Sequence, residues 1–160
     1  MSVKKNCTII FLALIAVAAI PLAMPEFLPF GQGTSGSSIP GNAPFVPDLQ
    51  GYGSPAPGAQ VNLFLMNCLG DQPGYIILGT ARQDRSFYGG TLYPTTNTVR
   101  AIWITPLGGS PPIGYWSLTG LTLPSSPSLS GTSLYLQAIT KDPGNPYGAT
   151  LSNGLEMRIQ

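Results

Sequence analysis

Two neighbouring stretches decide the fold, TSLYLQAIT at residues 132–140 and LEMRIQ at residues 155–160. In the second stretch every other residue is apolar, namely Leu155, Met157 and Ile159. The residues between them, Glu156 and Arg158, are charged. A period of two residues is typical of a strand with one face in the core and the other in water. We therefore predict that the three apolar side chains are buried on one face of a C-terminal strand.

The same alternation runs through the first stretch. It directs Leu134, Leu136 and Ala138 toward the core. Tyr135 and Gln137 then lie on the opposite face of that strand. We expect these positions to serve packing.

Five further stretches predict short strands, separated by turn signals rich in glycine, proline, asparagine or aspartate. They are AQVNLFLMN (59–67), YIILGTA (75–81), TLYP (91–94), VRAIWIT (99–105) and GYWSLTGLTL (114–123). Asn153-Gly154 favours a positive φ, and hence a bulge or tight turn beside the last strand. About seven short strands in this arrangement predict an all-β fold, an antiparallel β-sandwich, with a small barrel as the alternative.

The composition of the 160 residues agrees with this prediction. Twenty glycines and 17 prolines disfavour long helices, because both residue types destabilise a helix interior. A hydrophobic share of 43% suffices for a core, whereas only 8% of residues are charged. The formal net charge of +1 provides no strong attraction for nucleic acid, so we predict no nucleic-acid partner.

The N-terminal residues 1–23 have the pattern of a secretory signal peptide, with an apolar helix between basic and small residues. Lys4 and Lys5 precede the apolar stretch TIIFLALIAVAAI (8–20). We predict cleavage between Ala18 and Ala23 and a secreted or cell-surface protein; an uncleaved segment would instead contact the membrane. Cleavage removes Cys7 and leaves Cys68, which we interpret as a buried small hydrophobe, with an intermolecular disulfide as the alternative.

Residues 24–50 are rich in proline, glycine and serine and predict a linker or extended arm. The apolar residues within it either dock on the domain or contact another molecule; they are Phe27, Leu28, Phe30 and Phe45. The predicted organisation is a signal peptide at 1–23, the arm at 24–50 and a β-sandwich domain at 51–160.

An ordered set of motifs in the last third resembles a known module. The set comprises LP (123–124), SLSGTSLYLQA (128–138), DPG (142–144) and LSNGL (151–155), with Gly79 and GGTL (89–92) upstream. Together they resemble a β-sandwich module of secreted proteins from planctomycetes and related bacteria. The resemblance implies the fold and an extracellular location, and it transfers no catalytic residue. GGSPPIG (108–114) departs from the usual Asp-and-Gly turn of that module.

Catalytic constellations are absent from the sequence. Histidine is missing, which removes the commonest general base and metal ligand, and one mature cysteine cannot build a zinc site. We predict that the protein is not an enzyme and uses no cofactor or metal, although oxygens at Asp142 and Asn145 leave calcium open. The charged cluster at 82–85 is interpreted as a solvated loop with a weak ion pair.

The aromatic side chains are the remaining candidates for binding, namely Tyr75, Tyr88, Tyr93, Trp103, Tyr115, Trp116, Tyr135 and Tyr147. We expect Trp103 in the core. Because Tyr115 and Trp116 are adjacent in a strand, one of them must point outward and could face a ligand. Two functions follow. The first is a secreted non-catalytic structural or adhesion module, held at the cell surface through self-association or through the arm. The second is a carbohydrate-binding module that uses exposed aromatics on extracellular polysaccharide.

Overall fold

The computed structural model describes residues 26–36, 44–96, 100–105, 107–108 and 114–160. The predicted signal peptide at 1–23 lies outside these residues. Within them, no helix has the length and apolarity needed to cross a membrane.

The described residues form an all-β fold built from antiparallel strands, as the sequence predicts. The larger sheet, sheet A, has five strands in the spatial order β1 (Phe27–Phe30), β11 (Ala149–Arg158), β10 (Ser133–Lys141), β4 (Gly74–Gly79) and β7 (Arg100–Ile104). Sheet B has four, in the order β2 (Asp48–Tyr52), β3 (Gln60–Cys68), β9 (Gly114–Thr122) and β8 (Leu107–Gly108). The stretch between β9 and β10 contains one 3₁₀ turn, Pro127–Leu129.

The core lies between the two sheets, where alternate side chains of each sheet meet. Leu63 and Leu65 of β3 face Leu136 of β10 and Met157 of β11, and all four are fully buried. Burial of such a side chain contributes about 1.5 to 3 kcal/mol. The period-two prediction for the C-terminal strand is confirmed, since Leu155, Met157 and Ile159 are at most 2% exposed.

A two-stranded ribbon forms a third layer on the outer face of sheet A. It consists of β5 (Arg82–Phe87) and β6 (Gly90–Pro94). Gln137 of β10 faces this ribbon, so the side of the strand opposite the core is covered there and Gln137 is fully buried. The cluster at 82–85 is therefore part of a strand and not a loop, although its Arg82–Asp84 ion pair of 3.0 Å is exposed as expected.

Residues 24–50, interpreted as an arm, contribute two strands to the sheets. Strand β1 pairs with β11, and Arg82 of the ribbon lies over the ring of Phe30, 4.6 Å from its centroid. Strand β2 pairs with β3, so the sandwich begins well before residue 51. Both β1 and β2 are edge strands, where Pro29 is tolerated because one side of the strand needs no amide donor.

Strand β11 begins six residues earlier than predicted, because a bulge hides its alternation. Gln137 pairs with Gly154 but Ile139 pairs with Leu151, which leaves one extra residue in β11. The hydroxyl of Ser152 accepts a hydrogen bond from the Ala138 amide at 2.9 Å and satisfies the amide opposite the bulge. The predicted bulge is present, but Asn153 and Gly154 do not take the positive φ expected of them. Instead Asn153 bridges the sheets, since its Oδ1 accepts from the Leu49 amide at 2.7 Å.

Candidate functional site

The two aromatics predicted as ligand-facing lie on opposite faces of β9. Tyr115 is 51% exposed on the outer face of sheet B, whereas Trp116 packs against the core. The outer face of sheet B also carries Phe64 and Met66 of β3, and Tyr52 of β2 contacts Phe64 edge-to-face at 5.3 Å. This face is open and shallow, and Trp116 does not contribute to it.

A second group of aromatics lies on the outer face of sheet A. Strand β4 pairs with β7 so that Tyr75 lies directly opposite Trp103. The ring centroids are 4.7 Å apart at an interplanar angle of 84°. Tyr75 is 44% exposed and Trp103 is 58% exposed. The expectation that Trp103 lies in the core is wrong, because the side chains of β7 that point inward are those of its other face, including buried Ile104.

The tip of the ribbon borders this pair and makes a second wall. Tyr88 and Gly89 connect β5 to β6 with φ values of 45° and 73°, and Phe87 pairs with Gly90. Positive φ at both residues of a two-residue loop is the geometry of a type I′ hairpin turn. The Tyr88 ring is 46% exposed and contacts the Phe87 ring edge-to-face at 4.4 Å.

The loop between β10 and β11 supplies the third wall through Tyr147, which is 59% exposed. Its ring lies so close to Gly89 that any Cβ there would overlap it. Asn145 holds the loop: its Oδ1 accepts from the Tyr147 amide at 2.9 Å, and its Nδ2 donates to the Ser35 carbonyl at 2.8 Å. The two hydrogen bonds of Asn145 therefore hold the loop that positions the Tyr147 ring.

The same loop contains Asp142 and Asn145, the residues whose oxygens left calcium binding open. Buried Asp142 accepts a hydrogen bond from the Gly144 amide at 3.1 Å, as in an ordinary Asx turn. Asn145 directs its carbonyl oxygen to the Tyr147 amide. Across the described ranges, no three His, Cys, Asp or Glu side chains come together in a way that could hold a metal ion.

These three walls enclose an open cleft of about 470 Å³, which we call the aromatic cleft. It is lined by Tyr75, Tyr88, Trp103, Tyr147, Phe87 and Lys141, among others. Small-ligand sites typically have volumes of roughly 300 to 1,000 Å³. A second cleft of about 500 Å³, lined in part by Gln32 and Ser35, shares Tyr88 and Tyr147 with it. The two clefts therefore meet along these rings.

Cys68 has the environment expected of an unreactive residue. It is fully buried and its Sγ donates to the Gly114 carbonyl at 3.2 Å. Burial raises the pKa of the thiol to about 11, because the thiolate would lose its hydration. The interpretation as a buried small hydrophobe is confirmed.

The chain was compared with family models, curated proteins and solved structures, and none of them matches it. The resemblance to a planctomycete-type secreted module stays a prediction.

The sequence identified Tyr75, Tyr88 and Tyr147 as candidate binding residues but placed Trp103 in the core. It did not indicate that the four rings converge. Tyr75 and Trp103 are 28 residues apart in sequence and meet only through the β4–β7 register. One local signal was available: Tyr88 precedes Gly89-Gly90, where a hairpin turn would favour Asn, Asp or Gly. A tyrosine in that position is a reason to suspect a role other than folding.

Proposed function

We propose that this chain is a secreted, non-catalytic module that binds carbohydrate in the aromatic cleft. The observation that carries the proposal is the convergence of four exposed rings, from four separate parts of the chain, on one cleft. They are Tyr75, Tyr88, Trp103 and Tyr147. Half of the large hydrophobic side chains that are exposed in the described residues belong to this group.

The chemistry of sugar rings suits such a surface. A pyranose ring presents C–H groups on its faces and hydroxyl groups around its edge. The C–H groups pack on the electron-rich face of an aromatic ring, which carries the negative part of the ring quadrupole. The perpendicular Tyr75–Trp103 pair leaves a ring face available, and the tyrosine hydroxyls can hydrogen-bond to the sugar edge.

The hairpin tip supports the proposal energetically. A bulky residue with φ near +45° is strained, by about 1 to 3 kcal/mol in comparable cases. Asn67 and Asp71 also have positive φ, but these residue types tolerate it. Tyr88 does not belong to the core cluster, and its side chain is 46% exposed where it lines the cleft, so core packing does not account for the strain. Strain of this kind is characteristic of functional positions.

Location and absence of catalysis are parts of the same proposal. The basic-apolar-small pattern of residues 1–23 would direct the chain to a compartment where polysaccharides are exposed. Among the described residues that line the aromatic cleft, none is a carboxylate, so no acid–base pair faces a bound sugar there.

Binding to a panel of soluble glycans, measured by isothermal titration calorimetry, tests the proposal. We expect saturable binding that falls at least about tenfold in Trp103→Ala and in Tyr75→Ala. Tyr115→Ala is the matched control, because Tyr115 is similarly exposed but lies on sheet B.

Three results would contradict the proposal in distinct ways. Loss of binding in Tyr115→Ala alone would move the site to sheet B. Unchanged binding in all three variants would exclude both surfaces. Absence of binding across the panel would favour the structural or adhesion role that the sequence also predicts.

A further inference from the structure

We propose that the aromatic cleft selects acidic glycans, whose carboxylate or sulfate groups pair with Lys141. This inference rests on the proposed carbohydrate binding and specifies the class of sugar. It starts from the charges that line the cleft.

Lys141 is the last residue of β10 and its side chain points to the outer face of sheet A. It pairs with Ala149 and lies two residues beyond Ile139 on the same face of β10, and Ile139 lies beside Tyr75 in the neighbouring strand. Lys141 therefore lines the cleft together with Ile139, Tyr75 and Trp103. Lys141 is exposed, and among the described residues no carboxylate lies within ion-pair distance of it.

The nearest acidic residue in sequence, Asp142, does not line the cleft. It is buried, and its Oδ1 accepts from the Gly144 amide at 3.1 Å. Of the described residues lining the aromatic cleft, Lys141 is the one that carries a charge. A bound glycan thus meets one cation beside apolar rings.

Such a lining discriminates between sugars of the same shape. An anionic substituent gains a charge-assisted hydrogen bond from the ammonium group, which a neutral substituent cannot make. Because Lys141 is exposed, the gain is that of a surface ion pair and decreases with added salt. We expect about a two- to fivefold preference for the acidic sugar at low ionic strength.

Polygalacturonate oligomers and their fully methyl-esterified forms provide the test, since the two share one sugar backbone and esterification removes the charge of each carboxyl group. Both are titrated into protein produced from the full-length chain, at low and at high salt. We expect the wild-type protein to prefer the free acid at low salt and to lose this preference at high salt. Lys141→Met should bind both forms equally, whereas Lys141→Arg should keep the preference.

The control for non-specific charge is Arg85→Met, which removes an exposed cation of β5 that does not line the cleft. Its preference for the acid should equal that of the wild-type protein. Equal wild-type affinity for acid and ester, or a preference that survives in Lys141→Met, would overturn the inference while leaving carbohydrate binding intact. Absence of binding to both forms and to neutral glycans would overturn the proposed function itself.

Discussion

Tyr88 combines a strained backbone conformation with an exposed ring. Its backbone has φ of 45° at the tip of the ribbon, a conformation that favours Asn or Gly. Its ring lines the aromatic cleft and contacts the Phe87 ring edge-to-face. Under the proposed function, stability and binding make opposite demands on this position.

Replacing Tyr88 with Asn separates the two demands. We expect Tyr88→Asn to raise the free energy of unfolding by up to about 1 kcal/mol, because the backbone strain is relieved. Glycan affinity should fall in the same variant. Tyr88→Phe, which keeps the ring and the strain, should match the wild-type protein in stability by urea unfolding. A clear loss of stability in Tyr88→Asn would contradict this account of the turn.

Cys68 allows a test of burial that does not depend on any ligand. The folded-state pKa of about 11 exceeds that of an exposed thiol, so the native state holds its proton more tightly than the unfolded state. The stability contributed by this group is complete below about pH 9 and is lost as the pH rises toward about 11. Over that pH range, the free energy of unfolding should decrease less in Cys68→Ala than in the wild-type protein.

Reaction with a thiol reagent at neutral pH gives a second measurement on the same residue. Native protein should react very slowly and protein in urea rapidly, because the native Sγ is buried under the β3–β9 pair. Rapid reaction of the native protein would place Cys68 at the surface and contradict the described packing.

At the scale of the element, β11 contributes side chains to both faces of sheet A and pairs with a strand on each side. Its inner face carries Leu155 and Met157 into the core, and it pairs with β1 on one side and β10 on the other. Near its C-terminal end the outer-face side chains of Glu156 and Arg158 are half-buried. Glu156 accepts hydrogen bonds from Ser133 at 2.8 Å and from Arg158 at 2.9 Å, and the Arg158 hydrogen bond lowers the pKa of the Glu156 carboxyl.

Alanine substitutions along β11 should therefore alternate in cost. Met157→Ala is expected to lower the free energy of unfolding by about 2 to 5 kcal/mol, because it leaves a cavity in the core. Glu156→Ala should cost about 1 kcal/mol through two lost hydrogen bonds, and Arg158→Ala should cost less. Urea midpoints measure the ranking, and a larger effect for Glu156 than for Met157 would show a strand register one residue out.

At the scale of the whole molecule, Gln137 connects three strands that belong to two layers. Its Nε2 donates to the Thr91 carbonyl of β6 and to the Ser152 carbonyl of β11, both at 2.9 Å. Its Oε1 accepts from the Tyr93 amide at 3.0 Å. The side chain thus satisfies buried backbone groups where the ribbon meets sheet A.

Replacing Gln137 with Leu should detach the ribbon from the sandwich without changing the volume greatly. The substitution leaves one amide and two carbonyl groups without their partner, at about 1 to 3 kcal/mol for each group. We expect a loss of at least about 3 kcal/mol and faster hydrogen exchange in β5 and β6. Gln50→Leu, at a half-buried position on β2, is the control and should have a small effect. Equal effects of the two variants would show that Gln137 does not hold the ribbon.

The sequence by itself determined the all-β class and most of the strands. Those properties depend on local patterns: alternation in β3, β9 and β10, and glycine and proline at the turns. It did not reveal β1, because Pro29 and the glycine-rich residues around it read as an arm until an edge position makes them acceptable. The predicted start of β11 is also too late. The extra residue of the bulge at Ser152 and Asn153 puts the inward positions before it out of step with those after it, so the alternation does not continue through the bulge.

Only the tertiary structure decided where the candidate site lies. Whether an outward side chain is covered or exposed depends on what packs over its sheet. Gln137 and Tyr75 both point to the outer face of sheet A, yet the ribbon buries the first and borders the second. Alternation fixes the face of a strand to which a residue points, but the neighbour on that face comes from distant parts of the chain. For this reason Tyr115 and Trp116 could be singled out as a pair from sequence, whereas the convergence of Tyr75, Trp103, Tyr88 and Tyr147 required the fold.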